Sequence, residues 1–200
     1  MSAVTGLDDV DLVALVTQGD ASAFSEVVDR HLACIEIYAK RIIGDDALAQ
    51  DVAQETMLIL WQRSADFDAR KARLTTWLHR IAHNRSIDLL RRRKRETPVA
   101  SDEMFDRAEA GPLSNKEAEL LSIKEAEPHV NTYADGSESA LINRGLQALP
   151  ESQRTALVLT YYQNLSNREV AQVMNISIRA VESLLVRARG NLKKQLETQL

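Results

Sequence analysis

A segment near the middle of the chain carries the residues with the clearest chemical potential. Wound as a helix at about 100° per residue, it brings Arg80, Asn84 and Arg91 within about 40° of one another. Arginine binds phosphate and guanine, and an asparagine amide pairs with an adenine edge. An apolar arc of the same helix is predicted to face the core; it contains Trp77, Leu78, Ile81, Ala82 and Leu89. This division of one helix is typical of a nucleic-acid-binding surface.

The charge of this region differs from that of the whole chain. The 200-residue protein has a formal net charge of −4, whereas residues 70–95 contain ten Lys or Arg against the single acid Asp88, a net +9. The basic run that ends the helix includes Arg91 and Arg92. A basic run alone is more often a solvated helix end. An excess of this size in an acidic protein favours phosphate binding.

Two histidines on the same helix suggest a different chemistry. His79 and His83 are spaced i, i+4 and could share a metal ion. No glutamate stands between them to act as the base of a metalloprotease, and no cysteine or carboxylate nearby completes a ligand set. The sequence therefore predicts no metal site, no cofactor and no catalytic residue.

Apolar spacing and composition predict an all-α fold with two small helical domains. Apolar residues recur at intervals of three and four, and seven glycines and four prolines argue against a strand-and-turn fold. We expect a helical domain over residues 1–95, a flexible acidic linker over residues 96–140 and a helix-turn-helix domain over residues 141–200. The linker has eleven acids against three bases, a net −8, and leaves open a short helix around residues 115–127.

Aspartate caps divide the first domain into helices. Asp20 is expected to cap the second helix, which Gly44 ends, and Asp45 or Asp46 to cap the third. The inward faces of these two helices are predicted to contain Phe24, Val27, Val28, Ile35, Tyr38, Ala39 and Ile42, and Leu48, Val52, Thr56, Ile59 and Leu60.

The third helix also has an informative outer face. Asp51, Gln54 and Glu55 surround Leu58, which favours a docking patch for a basic protein as much as it favours a plain solvated surface. The following loop holds Phe67 between two aspartates and is expected to be ordered. Beside a basic helix, such a loop is well placed to receive an unstacked base.

The last domain carries a helix-turn-helix pattern. Ser166 and Glu169 predict a capping box, and Asn175 stands where the turn needs a residue that tolerates the left-handed conformation. In the next helix, which Ser177 caps, one face is apolar, and the other is predicted to face the DNA major groove. An ordinary helical hairpin is the alternative. The apolar residues are Val181, Leu184, Leu185, Ala188 and Leu192, and the groove-facing ones are Arg179, Ser183 and Arg187.

Several segments, in this order, resemble those of bacterial sigma factors of the extracytoplasmic-function (group IV) type: AFSEVVDRH, RIIGDDALAQDVAQETMLILW, FDARKARLTTWLHRIAHNRSIDLLRRRKR and ALPESQRTALVLTYYQNLSNREVAQVMNISIRAVESLLVRAR. The resemblance implies a non-enzymatic subunit that binds core RNA polymerase, recognises the −35 and −10 promoter elements and aids promoter melting. The alternative is a free-standing helix-turn-helix regulator, which would use only residues 141–200 and bind palindromic sites as a dimer.

The resemblance also implies partners and roles. One set of residues docks on the clamp helices of the polymerase β′ subunit, a second set holds the melted −10 element, and a third reads the −35 element. An anti-sigma factor would cover the docking residues and the C-terminal helix pair, and the acidic linker would lie in the polymerase cleft and RNA exit path. The three sets are Asp51, Gln54, Glu55 and Leu58; Phe67, Arg80, Asn84, Arg91 and Arg92; and Arg168, Arg179, Ser183 and Arg187.

The expected compartment is the cytoplasm, since the sequence shows neither a signal-peptide pattern at its start nor a long apolar run. The recognition helix departs from the family pattern. Where the family commonly has Gly-Thr-Val-Lys-Ser-Arg, this chain has Arg179-Ala180-Val181-Glu182-Ser183-Leu184. Two frequent cations are lost and Arg179 is gained, so the family's typical −35 preferences do not transfer.

Overall fold

The structure, a computed structural model, describes Val4, residues 6–96 and residues 136–199. The regular elements in these ranges are all helical, as predicted. The chain divides into two compact units, residues 1–97 and residues 98–200. Most of the predicted linker, including the helix left open at 115–127, lies outside the described residues. No described helix is both long enough and apolar enough to cross a membrane.

The first unit is built from helices joined by short connections. α1 covers Asp9–Thr17, α2 Ala21–Ile43, α3 Asp46–Arg63 and α4 Leu74–Glu96, and a single 3-10 turn at Ser64–Asp66 follows α3. Helix α2 lies at the centre and packs against α1, α3 and α4. From Leu74 onward the basic segment of the sequence is therefore one continuous helix, α4.

The ends of these helices follow from side-chain caps. Asp20 accepts hydrogen bonds from the backbone N–H groups of Ser22 and Ala23 at 2.8 and 3.0 Å, and Asp45 accepts one from Leu48 at 3.2 Å. These bonds satisfy N–H groups that have no partner within the first turn of a helix. Gly44 ends α2 with φ +76°, a left-handed conformation that glycine adopts without steric cost. The caps and the glycine stop are thus confirmed.

The inward face of α3 is rotated from its predicted position. Leu48 and Ile59, both predicted to be buried, are only half-buried, whereas the alanines at 49 and 53 and Met57 lie in the core. Helix α3 packs against both α2 and α4, and small side chains let helices approach closely along such seams. A pattern search that weights large apolar residues misses this placement.

Three of the buried polar side chains of the first unit each bond to a carbonyl oxygen one turn earlier in their own helix. His79 Nδ1 donates to the Thr75 oxygen at 2.7 Å, Ser86 Oγ to that of Ala82 at 2.8 Å and Thr56 Oγ1 to that of Val52 at 2.7 Å. Because these bonds replace water, burial of the groups is tolerated. The buried arc of α4 therefore extends past Leu78 and Ala82 to His79 and Ser86, and Ile81 and Leu89 are only half-buried.

The second unit contains α5 at Gly136–Gln147, α6 at Glu151–Tyr161, α7 at Asn167–Met174 and α8 at Ile178–Gln199. Helix α5 begins at Gly136 and so extends into the segment predicted as linker, whose expected end was residue 140. Helix α6 is buried from Gln153 to Leu159, and α8 packs against α5, α6 and α7. Leu157 and Val158 lie in the core, whereas Tyr161 is half-buried, with the Arg189 guanidinium 5.4 Å from its ring centroid.

Candidate nucleic-acid interface

The polar face of α4 is open to solvent. Arg80, Asn84, Arg91 and Arg92 are all exposed, while Leu78 on the other side of the helix is completely buried. The structure therefore brings the predicted base-reading amide and its basic neighbours to one side of a helix held rigidly by its core face. Their contact with DNA stays a prediction.

The loop before α4 is fixed by one carboxylate. Asp68 accepts hydrogen bonds from the Arg70 backbone N–H and from Arg70 Nε, each at 3.0 Å, and Lys71 Nζ lies 3.5 Å from its other oxygen. The hydrogen bonds from Arg70 lower the pKa of Asp68 to about 2. Half-buried Phe67 packs edge-on against Trp77, with the ring centroids 6.1 Å apart. The loop is ordered as predicted, and part of the Phe67 ring remains accessible beside the basic helix.

The outer face of α3 presents the residues of the predicted docking patch. Asp51 and Gln54 are exposed, and the Leu58 side chain is 52% exposed. Trp61, which the sequence reasoning missed, is 38% exposed and stacks edge-on with Phe24 at 5.1 Å. Its i, i+3 spacing from Leu58 was the signal that could have found it. The accessible apolar surface of this face is therefore larger than one leucine.

Unlike the other residues of the docking patch, Glu55 forms an ion pair within the protein. Its Oε1 lies 2.9 Å from Arg85 Nη2 on α4, and both side chains are less than half exposed. A second ion pair joins the same two helices, with Arg93 Nη1 3.7 Å from Asp45 Oδ2. Helices α3 and α4 are thus held side by side by charge pairs as well as by packing.

The two histidines of α4 are engaged inside the protein. His83 Nδ1 lies 3.1 Å from Tyr38 Oη, and the His79 ring packs edge-on against Tyr38 at 5.4 Å. Burial, with a smaller contribution from Arg91, lowers the pKa of His83 to about 4. Among the described residues, no group of three or more His, Cys, Asp and Glu side chains is arranged to hold a metal ion. The pair serves the packing of α4 on α2.

The helix-turn-helix forms from the predicted signals. The Ser166 N–H donates to Glu169 Oε2 at 2.9 Å and the Glu169 N–H to Ser166 Oγ at 3.4 Å, which completes the capping box of α7. Asn175 is left-handed, with φ 54° and ψ 47°. Ser177 Oγ accepts from the Ala180 N–H at 3.1 Å and starts α8. The short turn between α7 and α8 is therefore fixed by local bonds.

The predicted groove face of α8 is only partly open. Arg179 is exposed, as is Arg168 on α7, but Ser183 and Arg187 are half-buried. Arg187 folds back along its own helix, donating from Nη2 to Ser183 Oγ at 3.2 Å and from Nε to the Ser183 carbonyl at 3.4 Å. The three residues of the predicted groove face are therefore unequally exposed, because Arg187 and Ser183 bond to each other. Their contact with DNA stays a prediction.

Comparison with known proteins identifies both units. Residues 27–96 match the family model for sigma-70 region 2, and residues 139–192 match that for sigma-70 region 4. Because region 2 is matched as well as region 4, the chain is not a free-standing regulator built on its last sixty residues.

Individual relatives match over nearly the whole chain. The chain is 29% identical over 191 residues to the ECF RNA polymerase sigma factor SigW of Bacillus subtilis (strain 168), covering 90% of this chain and 92% of SigW. It is 32% identical over 198 residues to the RNA polymerase sigma-H factor of Pseudomonas aeruginosa, covering 97% of this chain and 96% of that protein. Among solved structures it is similar to CnrH in complex with the cytosolic domain of CnrY, with 27% identity, a TM-score of 0.67, and coverage of 96% of this chain and 99% of CnrH. The chain therefore belongs to the sigma-70 family, as an extracytoplasmic-function RNA polymerase sigma factor.

Proposed function

We propose that the two units divide promoter recognition: the first holds core polymerase and the melted −10 element, and the second reads the −35 element. Sigma factors are specificity subunits rather than enzymes, and they bind core RNA polymerase and promoter DNA. The proposal for the first unit rests on one observation. Helix α4, which has an exposed amide-and-arginine face, packs against α3, which has an exposed acidic and apolar face, and ion pairs join the two helices.

The −10 assignment follows from the chemistry of the α4 face. The Asn84 amide can donate to and accept from one base edge, and Arg80 and Arg92 supply positive charge for the strand backbone. Reading a single strand also needs a surface on which a base can stack. The partly exposed Phe67 ring, held against Trp77 at the start of α4, supplies that surface.

The polymerase assignment rests on the face of α3. Exposed Leu58 lies beside exposed Asp51 and Gln54, and Trp61 enlarges the apolar surface. An apolar centre with a polar rim is the usual anatomy of a protein interface. The acids of the rim suit a basic partner surface, which the family resemblance identifies as the β′ clamp helices.

For the second unit, Arg179 is the first candidate reader because it is exposed in the first turn of α8. Arg168 and the far lysines, Lys193 and Lys194, are exposed and suit phosphate contacts. Arg187 reaches DNA only if it leaves Ser183, so binding to the −35 element exchanges a bond within α8 for one to phosphate or base.

Control by a protein partner in the cytoplasm completes the proposal. CnrH was solved bound to the cytosolic domain of CnrY, and a similar partner of this chain, an anti-sigma factor, would cover the face around Leu58. Such a partner competes with core polymerase for that leucine. Pull-downs from the native host in unstressed and stressed growth test it: they should recover the partner in the unstressed state and polymerase in the stressed state. Recovery of polymerase alone in both states contradicts this part of the proposal.

Two substitutions separate the functions of the first unit. In polymerase reconstituted with the full chain, Asn84→Ala should lower promoter opening by about tenfold, since a good base contact contributes about 1–3 kcal/mol, and should leave core binding unchanged. Leu58→Glu should weaken core binding and leave the helical circular dichroism unchanged. Gln18→Ala and Ile37→Glu change an exposed amide and an exposed apolar residue on other helices and serve as matched controls.

Promoter opening at the wild-type level by polymerase carrying the Asn84→Ala chain would show that α4 does not hold the −10 element. Lost helix content in Leu58→Glu would show that Leu58 belongs to the core rather than to a docking face.

A further inference from the structure

One apolar side chain of the second unit stands outside its core. Among the side chains that the structure describes in this unit, Ile178 is the only large hydrophobic one left exposed, at 46%. It is the first residue of α8, directly after the Ser177 cap. The apolar residues that follow on the inner side of α8, Val181, Leu184 and Leu185, are all buried. Ile178 therefore contributes little to the packing of the unit.

The neighbours of Ile178 show which surface it occupies. Exposed Arg179 follows it directly, and half-buried Glu182 lies one turn further along the same side of the helix. The first turn of a recognition helix is the part that contacts base edges. An isolated exposed isoleucine needs no explanation on an ordinary surface, but Ile178 is the first residue of the recognition helix, directly before Arg179, at the end of the helix that contacts base edges.

The major groove offers one apolar group, the C5 methyl of thymine. We propose that Ile178 is a specificity-determining residue that packs against a thymine methyl in the −35 element, next to the base read by Arg179. This inference rests on the proposed role of the second unit. Its branched side chain fits a methyl contact, whereas amino and carbonyl groups of other bases at that position would be desolvated against hydrocarbon without a hydrogen bond.

The thymine methyl can be deleted from the DNA without changing the protein. Holoenzyme carrying the full chain first selects −35 sequences from a randomised library, which should enrich a thymine at one position. Replacing each thymine of the selected element by deoxyuridine, one at a time on both strands, should then weaken binding about fourfold at that position, the value of one buried methyl-sized group.

The matching changes in the protein are Ile178→Ala and Ile178→Val, each tested on the thymine and the deoxyuridine duplex. The alanine variant should bind the thymine and deoxyuridine duplexes equally, and the valine variant should retain most of the difference because it keeps a branched end. Ile37→Ala, an exposed isoleucine on α2, is the matched control and should behave as wild type. Circular dichroism confirms that each variant is folded.

Three outcomes overturn the assignment: no thymine is enriched, no thymine position responds to deoxyuridine, or Ile178→Ala keeps the full thymine preference. A failure of the proposed −35 role of the second unit would give a different set of results. If the library shows no −35 preference at all and Arg179→Ala changes nothing, the second unit is not the −35 reader. If sequence preference is present and changes with Arg179→Ala but not with deoxyuridine, only the role of Ile178 is wrong.

Discussion

At the scale of single residues, His83 links the folding of the first unit to pH. Burial lowers the pKa of His83 from 6.5 to about 4, so the folded protein holds it neutral where the unfolded chain would bind a proton. Stability is therefore full above about pH 6.5 and is lost as the pH falls toward 4. We expect the free energy of unfolding to be about 2 kcal/mol lower at pH 5 than at pH 7 from this group alone.

Urea unfolding followed by tryptophan fluorescence measures this effect directly, because both tryptophans of the chain, Trp61 and Trp77, lie in the first unit. In the His83→Gln variant, which keeps a polar side chain near Tyr38 but cannot be protonated, the loss between pH 7 and pH 5 should be smaller by that amount. An equal loss in variant and wild type would assign the acid sensitivity to other groups.

Asn175 carries the second prediction at this scale. Its left-handed conformation costs about 1–2 kcal/mol for most L-residues, less for asparagine and nothing for glycine. Asn175→Gly should therefore leave the helix-turn-helix intact, whereas Asn175→Val should destabilise it by about that amount. Hydrogen exchange of the α7 and α8 amides reports the difference locally. Similar exchange in the two variants would show that the turn has relaxed to another conformation.

Some residues of the core could not be predicted from apolar spacing. His79 and Ser86 are polar, yet they are buried because each donates to a carbonyl in the preceding turn of its own helix. Such a bond depends on the rotamer and on the absence of water, which a sequence does not display. Asn84 and Arg80 were predictable for the opposite reason, since they have nothing to pack against and their position follows from the helical period alone.

At the scale of helices, capping chemistry was more informative than hydrophobic spacing. The aspartate caps, Gly44, the capping box and Asn175 are local signals that involve a few neighbouring residues, and they locate helix ends well. The rotation of α3 is a tertiary effect, because two neighbouring helices decide which arc is covered. For the same reason, the pairing of Glu55 with Arg85 was not predictable from either helix alone.

That ion pair yields the prediction at this scale. Glu55→Arg and Arg85→Glu should each destabilise the first unit slightly, and the double variant should recover the loss, with a coupling of about 0.2–1 kcal/mol for an exposed pair. Unfolding followed by tryptophan fluorescence gives the coupling. Additive losses in the double variant would show that the pair contributes nothing.

The same double variant tests the role of Glu55 at the polymerase. If Glu55 mainly positions α4 through Arg85, the reversed pair should restore core binding together with stability. If Glu55 contacts the β′ clamp helices itself, stability should return while core binding stays weak, because the new arginine would face a basic surface.

At the scale of the whole molecule, the segments proposed to bind DNA are basic although the chain as a whole is acidic. Residues 70–95 carry a net +9 and residues 166–200 a net +3, while the chain as a whole is −4. The basic segments are therefore offset by acids elsewhere, many of them in residues 96–140, which carry a net −8. The charges are read from the sequence itself, and the sequence predicted the helical structure of the described residues in both units. It did not locate the start of α5, because glycine has a low helix propensity and Gly136 reads as part of the glycine- and proline-containing linker.

The last prediction uses the proposed separation of polymerase binding, in the first unit, from −35 reading, in the second. Arg179 lies in the second unit and Leu58 in the first, so Arg179→Ala should leave core binding intact while impairing −35 selection. An excess of the Arg179→Ala protein should then inhibit transcription by the wild-type factor in vitro, because it occupies core polymerase without directing it to the promoter. Adding Leu58→Glu to the same chain should remove the inhibition, since the double variant cannot hold polymerase. Arg179→Ala combined with Ile37→Glu, which alters an exposed apolar residue away from the α3 face, should inhibit as strongly as Arg179→Ala alone. If the Leu58→Glu double variant still inhibits, the inhibition comes from occupation of DNA rather than of polymerase, and the α3 face is not the docking surface.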